Sequence, residues 1–361
     1  MFPRACSNGG TRKIESHAPM LGCYMPNAHS STNAKVANMT TFRKTVAYSF
    51  AALLAFSSPA FTAPKLTFIT LGTNAGPIPS PHRSEPANVV QFGGEIVLVD
   101  AGDGVSVELA KAGIKLREIH TIVLSHLHFD HIGGLFAVLG ERYQSQDDSK
   151  LLTIYGPSGT KTTIDRLIAA MKPGIETVGR RSRSSAAALD NIKVVEVAAG
   201  SKFAVGQISI IAAENTHYAT LKYSGPTKDK PISLSYRFNT PTRSICFTGD
   251  TGPSVKVERL CRDVDLLVSE ISWSIPDITA QLRRYPQLQR MSTSQKAIMM
   301  AHFTKEHLSP IDVGLLAKHC AARKLVLTHD ALLLKDIPAA RAAIRGIYGG
   351  PITFANDVQT F

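Results

Sequence analysis

Residues Ser125 to Gly134 read SHLHFDHIGG and follow directly on the apolar run Thr121-Ile122-Val123-Leu124. Three histidines and an aspartate fall within six positions at the exit of a buried strand. On an extended segment, residues two apart point to the same side, so His126 and His128 can converge on one ion. Asp130 and His131 come where the chain turns, and Gly133-Gly134 lets it bend closely into the next helix. They can then address a second ion beside the first. Imidazole together with carboxylate oxygen is a donor set suited to zinc. With 12 histidines in the chain, this pattern arises by chance in roughly six of ten thousand such sequences. A histidine-rich surface loop is a poor alternative.

Four donors on one loop do not enclose two metals, so others must arrive from elsewhere. Three candidates stand at the ends of apolar runs: His217 in ENTHY, Asp250 in TGDTGP and His329 in LVLTHD. Taken singly, each would more often be structural.

From Lys65 onward, strand-like and helix-like segments alternate without a low-complexity linker. Predicted strands are 66–71, 88–92, 95–99, 121–124, 151–155, 192–197, 208–214, 233–238, 244–248, 265–269, 325–327 and 352–354. Helices are predicted at 106–112, 160–171 and 310–320. The first half is rich in hairpins, and the second ends in helix–strand units. This pattern predicts an α/β fold: two mixed sheets face to face with helices outside, one domain in four layers. Gly72-Thr73-Asn74-Ala75-Gly76 lacks a GxGxxG fingerprint and no helix follows it, so a dinucleotide site is not indicated.

The order H-x-H-x-D-H, T-H, T-G-D-T-G, H-L-S and L-T-H resembles the metallo-β-lactamase superfamily. The segments FTGDTGP, DVDLLVSEISW and EHLSP…LVLTHDA are similar to its ribonuclease Z branch, over nearly all of residues 66–361. The resemblance implies an αββα sandwich with two zinc ions per subunit in a cleft at one edge of the sheets. Carried over by position, His126, His128 and His217 would hold one zinc. Asp130, His131 and His329 would hold the other, with Asp250 bridging. Asp130, His307 and Glu270 are the candidate catalytic groups, the last two lying beside the metals. Two zinc ions would lower the pKa of a bridging water and stabilise charge on the attacked centre. Asp100, after a strand, is placed either to orient a ligand histidine or to form a turn before Gly102.

The N-terminus reads as an address. Residues 39–60 have a charged start, the apolar run Val46 to Phe56, and Ser58-Pro59-Ala60 as a cleavage site, which together predict a secretory signal peptide. Residues 1–38 read as a disordered or upstream extension, and 61–361 as the hydrolase domain. A periplasmic or secreted protein is expected, with no stable membrane association after cleavage. Cys246, Cys261 and Cys320 are far apart in apolar contexts and without CxxC spacing, which predicts three buried free thiols.

The net charge of +12 falls to +7 once residues 1–60 are removed, and no run of five basic residues occurs. The densest cluster, Arg180-Arg181-Ser182-Arg183, reads as a solvated loop. No nucleic-acid partner is indicated. A small-molecule substrate is expected, with a homodimer allowed. The favoured function is a zinc-dependent hydrolase that uses a metal-bridging hydroxide on a small anionic or aromatic ester, a phosphodiester or an aryl sulfate. Arg83 and Lys222 would favour an anion. The Gly76–Ser84 loop would lie over the cleft, and Trp273, Tyr218 and Tyr223 would receive an aromatic leaving group. The alternatives are a dehalogenase of a chlorinated aromatic or a lactonase. A ribonuclease Z-type endonuclease is disfavoured by the export signal and by the few residues, 218–232, between His217 and the next strand. A non-catalytic metal-binding protein is disfavoured because all seven donors are retained.

Overall fold

Period-two alternation of large apolar side chains decides which face each strand buries. The computed structural model describes residues 64–144, 150–177, 189, 191–284 and 286–361. The expected extension, the signal peptide and the Arg180–Arg183 cluster lie outside the described residues.

The strands are β1 (Thr67–Gly72), β2 (Ala87–Phe92), β3 (Glu95–Ala101), β4 (Thr121–Val123), β5 (Leu152–Gly156), β6 (Ile192–Glu196), β7 (Lys202–Val205), β8 (Ile208–Glu214), β9 (Leu234–Asn239), β10 (Ser244–Phe247), β11 (Leu266–Ile271), β12 (Leu325–Asp330), β13 (Ile352–Phe354) and β14 (Gln359–Thr360). They form two seven-stranded sheets. The first runs β14-β1-β2-β3-β4-β5-β6 and the second β13-β12-β11-β10-β9-β8-β7. In the first, β3 to β6 are parallel. In the second, β10 to β13 are parallel while β7, β8 and β9 are antiparallel.

Three apolar layers follow from the alternation. Val97 and Val99 of β3 meet Tyr236, Phe238, Ile245 and Val268 between the sheets. Leu98 points the other way, onto Leu109 and Leu139 of the helices Val105–Lys111 and Leu135–Gln144. Likewise Leu267, Leu325 and Leu327 face outward onto Val257, Val313 and Ile344. Each large side chain contributes about 1.5–3 kcal/mol on burial, so a one-residue slip, which would exchange the faces, is strongly disfavoured. The result is the expected αββα order in a single domain.

The sheets are stapled together at one end. Tyr236 of β9 donates its hydroxyl to the Leu124 carbonyl, at 2.9 Å, and the Leu234 amide donates to the Ser125 carbonyl. Asn74 and Asp330 form an isolated bridge from the end of β1 to the end of β12. No described helix is long and apolar enough to cross a membrane.

The reading of three free thiols is corrected. Cys246 and Cys261 form a disulfide with a Cα–Cα distance of 5.3 Å, and among the described residues Cys320 alone is free, and it is buried. Cys246 faces outward from β10, and the helix Val255–Leu260 returns over it, ending at Cys261. A separation of 15 residues gives no motif to read, because the turn between the two is set by tertiary packing. Closing such a loop contributes about 3 kcal/mol. Strands β7 and β14 were also not expected, being short, or largely exposed like β7.

Candidate metal centre

The short strand β4 ends at Val123, the chain bends at Ser125, and an extended His128 leads into a one-turn helix, Phe129–Ile132. Gly134 then lets the next helix start against β3. A Cβ there would lie 2.4 Å from the Gly102 carbonyl oxygen. His126 and His131 are buried, Asp130 is half-buried and His128 is exposed.

The donors from the second sheet end three of its strands. His217 follows β8, Asp250 follows β10 and His329 lies in β12. The donor atoms of His126, His128 and His217 fall within 4.8 Å of one another, as do those of Asp130, His131 and His329. Asp250 lies between the two groups. Its Oδ1 is 3.2 Å from His131 Nε2, and its Oδ2 is 3.2, 3.8 and 3.9 Å from the Nε2 atoms of His329, His217 and His126. All seven candidate donors are therefore brought to one place.

What surrounds them fixes the orientation of the rings. Asp100 is buried in a left-handed conformation, φ 59°, a strained setting for a residue other than glycine. From there its carboxylate accepts from the Ser125 amide at 2.7 Å, the Ser125 hydroxyl at 2.8 Å and His131 Nδ1 at 2.9 Å. Ser125 Oγ in turn lies 3.0 Å from His126 Nδ1, and the Glu306 carbonyl accepts from His217 Nδ1 at 3.1 Å. In each ring an acceptor at Nδ1 selects the tautomer whose Nε2 lone pair points into the cluster.

Of those lone pairs, that of His217 meets His128 Nδ1 at 3.0 Å, and the others have no hydrogen-bond partner. Among the described residues, His126 Nε2, His131 Nε2, Asp250 Oδ1 and both ring nitrogens of His329 are buried without a hydrogen bond. Unsatisfied buried polar atoms cost about 1–3 kcal/mol each, and their convergence fits a divalent metal. Burial, with His131 and His217 nearby, pushes His126 well below the usual histidine range. Burial likewise lowers His217, to about 3. Neutral imidazoles are the form that binds metal. In His131 and His329 burial also disfavours the charge, but the Asp250 carboxylate beside them outweighs it and raises both.

Beside the cluster, His307 Nδ1 meets Glu270 Oε2 at 2.8 Å, and the ring centroids of His307 and His217 are 4.9 Å apart. Burial opposes charge on His307, but the Glu270 and Asp250 carboxylates outweigh it and raise its pKa to about 9. Burial raises Glu270 too, against His307. The Thr251 amide donates to Glu270 Oε1 at 2.6 Å, which favours the carboxylate, and the shared proton stays on His307. Ser309 caps the helix Pro310–His319 and closes a capping box with Asp312, which holds His307 at the mouth of the cleft.

Several sequence expectations are relocated. The Gly76 amide donates to Asp130 Oδ2 at 3.2 Å, so that loop does lean on the cleft. Arg83, however, donates to the carbonyls of Thr73 and Asp330 and pairs with the Asp330 carboxylate. It braces the His329–Asp330 segment. Tyr218 packs on the rings of His126, His128 and His217, with centroids 5.2–5.9 Å apart, while Lys222 and Tyr223 are exposed.

His302, which is not among the candidates above, also stands at the site. Its Nδ1 lies 2.7 Å from Glu306 Oε2, across one turn of π-helix, and its ring centroid is 4.6 Å from that of His307. Glu306 also accepts from the amide and hydroxyl of Thr220, tying the segment after His217 to this turn. The spacing H-x-x-x-E was the available signal.

A model of the "Beta-lactamase superfamily domain" matches residues 96–329. Ribonuclease Z of Mycobacterium marinum is 28% identical over 299 residues, covering 81% of this chain and 96% of that protein. Among solved structures, the metallo-β-lactamase fold protein YhfI of Bacillus subtilis superposes with a TM-score of 0.60 at 17% identity, over 82% of this chain and 99% of that one. The short form of human tRNase Z gives a TM-score of 0.56 at 23% identity, over 82% and 98%.

Proposed function

The chain belongs to the metallo-β-lactamase superfamily, in its ribonuclease Z-like branch, and is a metal-dependent hydrolase; from that premise we propose that it cleaves small anionic esters, phosphodiesters foremost. The observation that carries this reading is His307, held by Glu270 and within 4.8 Å of the His217 and Asp250 donor atoms. A cationic donor at the edge of a metal cluster suits an oxyanion and a poor leaving group.

In this reading His126, His128 and His217 would hold one zinc ion and Asp130, His131 and His329 the other, with Asp250 near both sets. When bound, they would supply Lewis acidity and a water acidified toward neutrality. The chain's own residues do the rest. Asp100, Ser125 and the Glu306 carbonyl hold the rings in register. His307 donates to the developing oxyanion or protonates the departing oxygen, worth about 10²–10⁴-fold. Glu270 keeps that imidazole charged and correctly turned.

The name of the relatives makes an RNA phosphodiester the second reading. Residues 218–232 instead favour a small substrate. Two turns, Thr216–Ala219 and Tyr218–Leu221, and the Thr220 contact with Glu306 fold the start of this segment onto the body. Export to the periplasm or medium is also proposed, and the Cys246–Cys261 disulfide supports an oxidising compartment.

The test is a panel on the zinc-loaded protein: bis(4-nitrophenyl) phosphate, 4-nitrophenyl sulfate, a lactone, a chloroaromatic, and a precursor tRNA with a 3′ trailer. Turnover of the aryl diester is expected. Trailer cleavage without any turnover of the small esters would overturn the proposal in favour of the RNA reading.

A further inference from the structure

Beside the metal centre lies a cavity of about 650 Å³ whose walls are largely apolar, formed by Trp273, Pro276, Phe303, Ile311, Leu332 and Ala340. Its walls are built from the segments that carry the site. Trp273 comes three residues after Glu270, Phe303 one after His302, and Leu332 three after His329. The Phe303 ring stands between the two spaces. Its centroid is 5.3 Å from those of Trp273 and His302, and 6.3 Å from that of His307. A group attached to an ester at the metal centre would therefore enter the cavity past Phe303, on the side where His307 meets the leaving oxygen.

A second observation points to an occupant. The indole N–H of Trp273 is buried and has no acceptor among the described residues, although buried indoles normally find one. A cavity of this size suits a small organic group. Two aromatic rings in tilted contact, 37° apart in plane, form a continuous apolar wall that favours a flat one.

We propose that this cavity is the subsite for an aryl group of the substrate, packed against the wall that Trp273 and Phe303 form, with the Trp273 indole donating to an acceptor on that group. This inference rests on the small-ester reading above and narrows it to aryl esters.

Trp273 is the only tryptophan of the chain, so its fluorescence reports on the cavity directly. The probes are phenylphosphonate and methylphosphonate, which share a non-hydrolysable anion and differ in the ring. On the zinc-loaded protein, phenylphosphonate should change the Trp273 emission saturably and bind at least tenfold more tightly than methylphosphonate. Ala339→Phe adds a ring at the cavity wall from an exposed helical position, so folding should be unaffected. It should weaken phenylphosphonate at least fivefold and leave methylphosphonate unchanged. Trp273→Phe, followed by calorimetry, should retain stacking and lose only part of the preference.

Equal affinities for the two phosphonates, or an Ala339→Phe variant with wild-type preference, would overturn the subsite while leaving the ester reading standing. Failure of both phosphonates to bind, together with no turnover of bis(4-nitrophenyl) phosphate, would sink the ester reading and this inference with it.

Discussion

Asp100→Asn changes one atom type in the support of the metal centre and little else. The side-chain shape is kept, and asparagine tolerates the left-handed backbone at this position. The carboxylate accepts three hydrogen bonds from buried donors: Ser125 N–H and Oγ–H, and His131 Nδ1–H. An amide offers one acceptor edge and one donor edge. If its NH₂ faces His131, that ring must move its proton to Nε2, the atom that points into the donor cluster. If the amide turns over, its NH₂ opposes the Ser125 amide instead. Either way one charge-assisted hydrogen bond is lost, worth about 1.5–3 kcal/mol. At about 1.4 kcal/mol per decade, zinc binding should weaken about 10- to 150-fold. The assay is competition with a chromophoric chelator, with Ser125→Ala as a milder control that removes only the hydroxyl. Wild-type zinc affinity in Asp100→Asn would refute the claim that this carboxylate sets the His131 tautomer.

His307→Ala should keep its zinc and its fold but lose at least tenfold in kcat, with a smaller loss on substrates bearing good leaving groups; wild-type turnover on a poor leaving group would make His307 structural. His128→Ala should lose both zinc and activity, and full zinc content in that variant, measured by elemental analysis, would show the donor assignment to be wrong. Chelation should lower the melting temperature, since a ligand at 1,000-fold over its Kd contributes about 4 kcal/mol; an unchanged melt would argue against a metal shared by two sheets. In a chain beginning at Phe61, Ellman titration should find no reactive thiol in the native state, because burial pushes Cys320 up to about 12, one after denaturation, and three after reduction. Expressed from Met39 in a Gram-negative host, the active protein should carry a new N-terminus near Phe61, which Edman sequencing would check.

The centre was legible because much of it is local. His126 to His131 supply their chemistry within one turn of chain, and the strand preceding them is apolar enough to locate. Asp100 was found because it follows a readable strand, whereas Glu270 and His307 came from the family resemblance rather than from any local pattern. What escaped is tertiary. Cys246 and Cys261 meet only because a helix folds back over β10. Arg83 looked available to a substrate, yet its guanidinium is taken by the Thr73 and Asp330 carbonyls from another part of the chain. The helices Ile275–Arg284 and Thr293–Ala301 were not anticipated, and with them the cavity beneath Trp273 could not be foreseen.

The staple between the two sheets has a consequence for when the centre comes into being. His126 to His131 belong to the first sheet, while His217, Asp250 and His329 belong to the second. A nascent chain emerging from the ribosome carries the first four donors long before the last, and alone they make an open and promiscuous chelate. The full set of seven donors is assembled only once both layers have closed. A chain that crosses a membrane unfolded would then take its ions from the destination, where availability rather than intrinsic affinity governs which metal is captured. The same polypeptide, matured on the two sides of one membrane, would carry different ions without a single altered residue.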